Sequence, residues 1–420
     1  MDVLHHYIAK IEGHGKLEIN FKKNKINLII DEGERLIEGI LLNRPYYDAP
    51  FVTSRICGVC PIAHNLASLS ALENALKIEI SPLTKKLRRL MICAQIIQSH
   101  TLHLYFLALS DYFKSDSTLS LAESHPELFS EALKLKQFSD HLADAVAGRN
   151  VHPIATAVGG FLSIPNKKIL QSLYNQCHEM SAIAQKTIKL FASFSYPKLS
   201  NPTIYLSLSA NRNYAMISDK VESSTGETFH IKNYTKNIIE TVRNDSPSKY
   251  SQYKNNNFLV GALARVSLKS NRLMPQASKI HKTNQDKLGA FPAYNSFHNN
   301  YAQSVEILHF IEEAQSILEK LIDDKKYIFK PAEPIKLKAC EGRGVIEAPR
   351  GLLYHYYELD KSGNIKNCNI ITPTAQSLNN LEQDAQILLD NIADLSQKEK
   401  IRLLEMLIRA YDPCITCSVH

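Results

Sequence analysis

The residues best suited to chemistry are four of the eight cysteines, which stand in two C-x-x-C pairs, Cys57/Cys60 and Cys414/Cys417. Two thiolates three residues apart converge at a turn and can reach one soft metal ion. In Arg55-Ile56-Cys57-Gly58-Val59-Cys60-Pro61-Ile62-Ala63-His64, Pro61 suits the first turn of a helix, and His64 would face the side of Cys60. A thiol near a helix N-terminus also ionises more readily. The second pair lies in Asp412-Pro413-Cys414-Ile415-Thr416-Cys417-Ser418-Val419-His420. One C-x-x-C alone is compatible with a redox, structural or incidental role. Two pairs almost a chain length apart, each followed three or four residues later by a His, suggest one four-thiolate site. Spacing leaves structural zinc tying the two ends together as a full alternative. Cys93, Cys177, Cys340 and Cys368 are scattered, too sparse for a disulfide scaffold, and read as core or surface.

Helices and turns must bring these pairs together. No Gly or Pro occurs between Pro82 and Pro126, and Leu87, Leu90, Met91, Ala94 and Ile97 recur at helical spacing, which predicts a long helix. A second is predicted from about Ala302 to Asp324 and a third from about Leu378 to Tyr411, broken near Ser396. Lys16–Phe21 and Lys25–Ile30 alternate as strands, ending in the acidic turn Asp31-Glu32-Gly33-Glu34. Residues 207–287 are polar and read as a mixed strand-and-loop insertion. Residues 336–372, punctuated by Gly342, Gly344, Gly351 and Gly363, read as a small β region. The expected fold is mainly α with β decoration (α+β): one domain over 1–420, a large bundle of long helices with a β region over about 1–50.

Composition sets the outer bounds. With 44% hydrophobic and 22% charged residues, the 420-residue chain is neither disordered nor low-complexity. Charge is 49 − 42 = +7, too weak at this length to argue for nucleic acid. The start MDVLHHYIAK lacks the basic, then apolar, run of a secretory signal, and no 18-residue apolar stretch predicts a membrane span. A cytoplasmic, reducing setting is the expectation.

The first cysteine motif resembles the R-x-C-G-x-C-x-x-x-H signature of the large subunit of nickel-iron hydrogenases, and the second resembles their D-P-C-x-x-C-x-x-H ending. Between them Glu12-Gly13-His14, Gly148-Arg149-Asn150-Val151-His152-Pro153 with Gly159-Gly160-Phe161, Glu347-Ala348-Pro349-Arg350-Gly351, and Ile370 through Pro373-Thr374 are similar to further family segments. The Arg44-Pro45-Tyr46 run and Ala410-Tyr411 look most like the cytoplasmic, cofactor-coupled group. Lys10 and Val158 depart from it, where Arg and Pro are frequent.

The resemblance implies a fold of that type and reversible cleavage of H2 into protons and electrons. Cys57 and Cys414 would be terminal nickel thiolates, and Cys60 and Cys417 would bridge nickel to an iron carrying cyanide and carbon monoxide. Arg350 would sit over the metals with Asp111 as its partner, Thr374 beside Pro373 would hydrogen-bond a cyanide, and His64 would hydrogen-bond a cysteine sulfur. Cys414 would be the first base and Glu12 the proton relay, its carboxyl raised by burial. Glu32, with Glu34 as competitor, would bind magnesium, or iron, together with His420 and the Ile370 carbonyl. The implied partners are an iron–sulfur small subunit, further electron-transfer subunits binding NAD(P), flavin or deazaflavin, a maturation protease and nickel chaperones. Ending at His420, the chain reads as a mature form or one made without a C-terminal extension. A hydrogen sensor with the same site, or a metal-free or zinc-tied subunit of a respiratory-type complex, are the alternatives.

Overall fold

The computed structural model describes residues 3–115, 117–209, 213–289, 291–331 and 335–419. The helix Pro61–Leu76 begins directly after Cys60, with Pro at a position whose missing N–H costs no hydrogen bond. Pro82–Leu102 starts under Ser81, whose hydroxyl accepts the Thr84 N–H at 3.0 Å. It runs through a π-helical segment, His103–Ala108, and ends at Tyr112. The Gly- and Pro-free stretch thus holds this long helix and then a short one, Thr118–Ser124, under its own Ser117 cap.

Asn299–Ile322 is the central helix, and every residue from Asn299 to Glu312 is buried, so it carries no solvent face in its first three turns. Lys167–Ser193 and Pro82–Leu102 pack against it, and Pro126–Ala147 packs on the latter. Pro126–Ala147 and Lys167–Ser193 were not among the predicted helices. The second carries the i, i+3, i+4 pattern plainly, burying Leu170, Leu173, Cys177, Ala184, Ile188 and Phe191. The predicted break near Ser396 separates Pro373–Asn391 from Gln397–Tyr411, and its cause is a capping box between Ser396 and Glu399.

Val3–Tyr7, Gly15–Asn20 and Lys25–Ile30 form an antiparallel sheet in chain order. Cys340–Ala348, Gly351–Leu359 and Ile365–Ile371 form another antiparallel sheet. In the middle segment the strands Lys220–Ser223, Ile238–Arg243 and Ser246–Tyr253 are separated by loops and the helical turns Ile231–Asn233 and Tyr234–Asn237, and past residue 260 the chain is helical rather than strand-and-loop. Ala262–Lys269 and Pro275–Leu288 are helices, the first burying Leu263, Ala264 and Val266.

One close approach fixes the frame of the site. A Cβ on Gly342 would stand 2.2 Å from the Ala71 carbonyl oxygen, and one on Gly344 would stand 2.6 Å from the Ala71 nitrogen. The strand Cys340–Ala348 thus lies backbone to backbone on the helix Pro61–Leu76, at a distance only glycine permits. One element leads to Arg350 and the other starts at Cys60, so this contact sets their separation. The largest core cluster draws its residues from Leu41 to Cys417. Among the described residues, no helix is long and apolar enough to cross a membrane.

Candidate metal centre

The two cysteine pairs meet in the interior. Cys57 Sγ lies 3.5 Å from Cys414 Sγ, and Cys60 Sγ lies 3.5 Å from Cys417 Sγ, each pair 357 residues apart in sequence. All four are buried and none is in a disulfide. The sulfurs of Cys57, Cys414 and Cys417 lie within 4.8 Å of one another, a spacing that a shared metal ion fits. The arrangement is also held from outside. Gln95 closes the first turn, accepting the Ala63 N–H at 2.7 Å and donating to the Val59 carbonyl at 2.8 Å. Arg35 Nη2 ties the two cysteine loops by donating to the carbonyls of Ile56 and Thr416 at 2.7 and 2.5 Å.

The four thiols are unequal. Cys57 Sγ accepts the Val59 and Cys60 N–H groups at 3.3 Å each. Hydrogen bonds from Cys414, Cys417 and Cys60 hold its thiol well below the ordinary range, with the Arg350 charge helping. Cys417 is pushed well above that range by its bonds to Cys414, Cys57 and Cys60 and by burial. At Cys60 and Cys414 a lowering hydrogen bond from Cys417 is outweighed by Cys57 and by burial, and both also end well above. Four buried sulfurs packed this closely make ionising all of them costly without a cation, and an all-sulfur donor set suits a soft metal.

Arg350 stands beside the sulfurs. Nε donates to the Asp412 carbonyl at 2.5 Å and Nη2 to the Asp412 carboxylate at 2.6 Å, with both side chains buried. Burial opposes the guanidinium charge, but Asp412, Cys414, Cys57 and Cys60 hold it firmly in place. Arg350 Nη1 has no hydrogen-bond partner among the described residues, a buried donor left for a group that the site receives. Asp412 is positioned in turn by Gln303 Nε2, which donates at 2.9 Å. Thr374, in the first turn of Pro373–Asn391, accepts the Cys414 N–H at 2.9 Å. His64 Nε2 lies 3.7 Å from Cys417 Sγ, and His64 Nδ1 lies 3.3 Å from His355 Nε2.

Glu12 is joined to the second cysteine loop through its backbone: it forms a β-bridge with Cys414, and its carbonyl accepts the Ile415 N–H at 2.8 Å. Burial, then Cys57, Asp412 and Glu32, push its carboxyl above the ordinary value of 4.5, while Arg350 pulls back. Outward from it, Thr416 donates to Glu32 Oε1 at 3.1 Å, and the His14 N–H donates to the same oxygen at 3.1 Å. His14 itself is exposed.

Two expectations need correction. Asp111 does not pair with Arg350. Its carboxylate takes Arg409 Nε and Nη2, from the helix Gln397–Tyr411, at 2.7 and 2.8 Å. The acid beside Ile370 is Glu38 rather than Glu32. The Ile370 N–H donates to Glu38 Oε1 at 2.7 Å, and Lys249 Nζ lies 3.4 Å from Oε2. Glu32, at the end of the strand Lys25–Ile30, faces His14 and Thr416 instead, whereas the short helix Ile37–Leu41 carries Glu38 to the Ile365–Ile371 strand. His420 lies outside the described residues. Asp412, Gln95, Arg35 and Glu38 went unassigned from the sequence. Only Asp412 sits inside a quoted motif, and its partner is a tertiary matter.

The family model described as nickel-dependent hydrogenase matches residues 35–137 and 208–420. The chain is 33% identical to the sulfhydrogenase 1 subunit alpha of Pyrococcus furiosus over 99% of its own length and 96% of that protein. It is 26% identical to the NAD-reducing hydrogenase HoxS subunit beta of Cupriavidus necator, covering 98% of this chain and 93% of the other. A crystal structure of an NAD+-reducing [NiFe]-hydrogenase in the H2-reduced state superposes with a TM-score of 0.89 at 25% identity, covering 100% of both chains.

Proposed function

The chain belongs to the nickel-dependent hydrogenase family as a catalytic large subunit, and from there we propose that it interconverts H2 with two protons and two electrons at a nickel–iron centre held by Cys57, Cys60, Cys414 and Cys417. The observation that carries this reading is the meeting of four buried thiols from opposite ends of the chain, none in a disulfide, with sulfurs paired at 3.5 Å. A nickel–iron centre with cyanide and carbon monoxide on its iron would supply the polarisation that splits H2 and would take up its electrons.

The chain's own residues then handle the protons and orient the site. Cys57, Cys60, Cys414 and Cys417 would hold the centre through their four sulfurs. Cys414 is the natural first base, and Glu12 the next acceptor, bound to the same loop. Thr416, Glu32 and the exposed His14 carry the proton on to solvent. Arg350 offers its unpaired Nη1 and its fixed charge to the anionic ligands of the centre. Pro373 and Thr374 form the wall behind Cys414, and His64 steadies Cys417. A hard cation would sit near the Ile370 carbonyl, with Glu38 in the place expected of Glu32.

With four cysteines committed and four scattered, the chain holds no iron–sulfur relay of its own, so an iron–sulfur small subunit takes the electrons. The NAD-reducing relative favours a cytoplasmic complex with NAD(P)-linked subunits. Metal analysis and infrared spectroscopy of the purified complex test the proposal. Nickel and iron near one each per chain, with cyanide and carbonyl stretches, are expected. Stoichiometric zinc without those bands sinks it.

The reassignment of Asp111 has its own test. Asp111→Ala leaves the buried Arg409 guanidinium with only Glu405, at 3.5 Å, as a carboxylate partner among the described residues, and a loss of about 2 kcal/mol in unfolding free energy is expected. H2 turnover per bound nickel should be unchanged, since Arg350 keeps Asp412. A normal denaturation midpoint with depressed turnover per nickel would return Asp111 to the active site.

A further inference from the structure

Away from the cysteines, the densest buried charge lies around the helix Ala262–Lys269. Arg265, Lys269, Glu306 and Glu347 are all fully buried. Charges so placed are tolerated only when their partners are nearly complete. Arg265 Nε and Nη2 donate to the two Glu306 oxygens at 2.6 and 2.7 Å, and Nη1 donates to Glu347 at 3.0 Å. His100 Nε2 and the Tyr214 hydroxyl complete Glu306 at 2.7 and 2.6 Å. The Leu208 N–H, at 2.7 Å, and Lys269, at 3.9 Å, complete Glu347.

Two bonds of Arg265 leave this network, and both go to one place. Nη1 donates to the Ala348 carbonyl and Nη2 to the Pro349 carbonyl, each at 2.9 Å. These are the two peptide units before Arg350. The other side of the same turn is closed by backbone contact. A Cβ on Gly261 would lie 2.9 Å from the Arg350 carbonyl oxygen, and one on Gly351 would lie 2.3 Å from a Val260 methyl. The segment 260–265 thus grips the turn at residues 348–351 from end to end. Asp412 holds the far end of the Arg350 side chain, which leaves Nη1 as the donor with a free direction.

We propose that Arg265 is a positioning residue for Arg350: by holding the Ala348 and Pro349 carbonyls, it fixes where the Arg350 guanidinium stands beside the cysteines. Nothing in its own contacts reaches the thiols. The inference rests on the hydrogenase reading for its consequence in turnover, but not for its structural content. Lysine keeps the charge at position 265 and loses the fork that serves two carboxylates and two carbonyls together.

The test compares Arg265→Lys, Arg350→Lys and the double variant in the nickel-loaded complex, with amide exchange measured separately on the metal-free chain. Arg265→Lys should bind nickel as the wild type does and lose kcat by roughly 10- to 100-fold, the scale of a misplaced catalytic group. In the Arg350→Lys background the same substitution should cost no further turnover. In the metal-free chain it should speed deuterium exchange over residues 345–355. Equal losses in both backgrounds, or unaltered exchange in that segment, overturn the proposal. Should Arg265→Lys fail to fold, Glu306→Gln is judged by the same comparison of backgrounds and the same exchange. If the wild-type complex binds no nickel and turns over no H2, the hydrogenase reading falls, and the exchange result alone decides the positioning.

Discussion

Glu12→Gln is expected to bind nickel and iron as fully as the wild-type chain and to lose H2 oxidation by about 100-fold or more, the usual size of a general-base contribution. The amide keeps the shape of the side chain, and the bridge to Cys414 is made by backbone atoms that the substitution leaves alone. What it removes is the ability to take a proton. The wild-type carboxyl is suited to that task because burial and the neighbouring acidic groups move its pKa up toward the working range.

The same shift fixes the sign of a stability effect in the metal-free chain. A carboxyl whose pKa is raised on folding binds its proton more tightly in the native state. Wild-type stability should therefore fall as pH climbs from the ordinary 4.5 through the raised value. The amide of the Glu12→Gln variant has no proton to lose over that range. Melts at pH 4 should then agree between the two chains, and at pH 8 the variant should melt no lower than the wild type. Full turnover, or a variant clearly less stable at pH 8, would remove Glu12 from the relay.

Cys414→Ser should abolish turnover and leave nickel at below about a tenth of the wild-type content, because a hydroxyl is a poor ligand for a soft metal and stays protonated where a thiol ionises. The metal-free fold should survive. Serine preserves the backbone N–H that Thr374 accepts, and the replaced sulfur touches chiefly other thiols. Circular dichroism should be unchanged, whereas Cys177→Ser, on the helix Lys167–Ser193, should keep its nickel. A Cys414→Ser chain with normal nickel would place the metal elsewhere.

The cysteine pairs were legible because each is a local pattern, and Pro61 marked a helix start and Ser396 a helix break that the structure contains. The same locality explains the failures. Asp111 and Asp412 are both acids near the site, and only the packing of Pro82–Tyr112 against Gln397–Tyr411 decides which one faces Arg350 and which faces Arg409. Glu38 lies four residues beyond the acidic turn 31–34, and its neighbour Ile370 is 332 residues away. The π-helical turn at His103–Ala108 has no composition that sets it apart from the α-helix before it. The grip of Arg265 on residues 348 and 349 joins segments that carry no shared pattern.

The distance between the halves of the site also bears on how the protein is made. During synthesis Cys57 and Cys60 leave the ribosome first, and their partners follow 357 residues later. At about 5–20 residues per second, the first pair waits roughly 20–70 s before the second exists. For that interval it is a bare two-thiol half-site, open to whatever soft cation or oxidant the cell offers. A four-thiol site therefore cannot close until the second pair has been made, and the early pair must stay reduced until then.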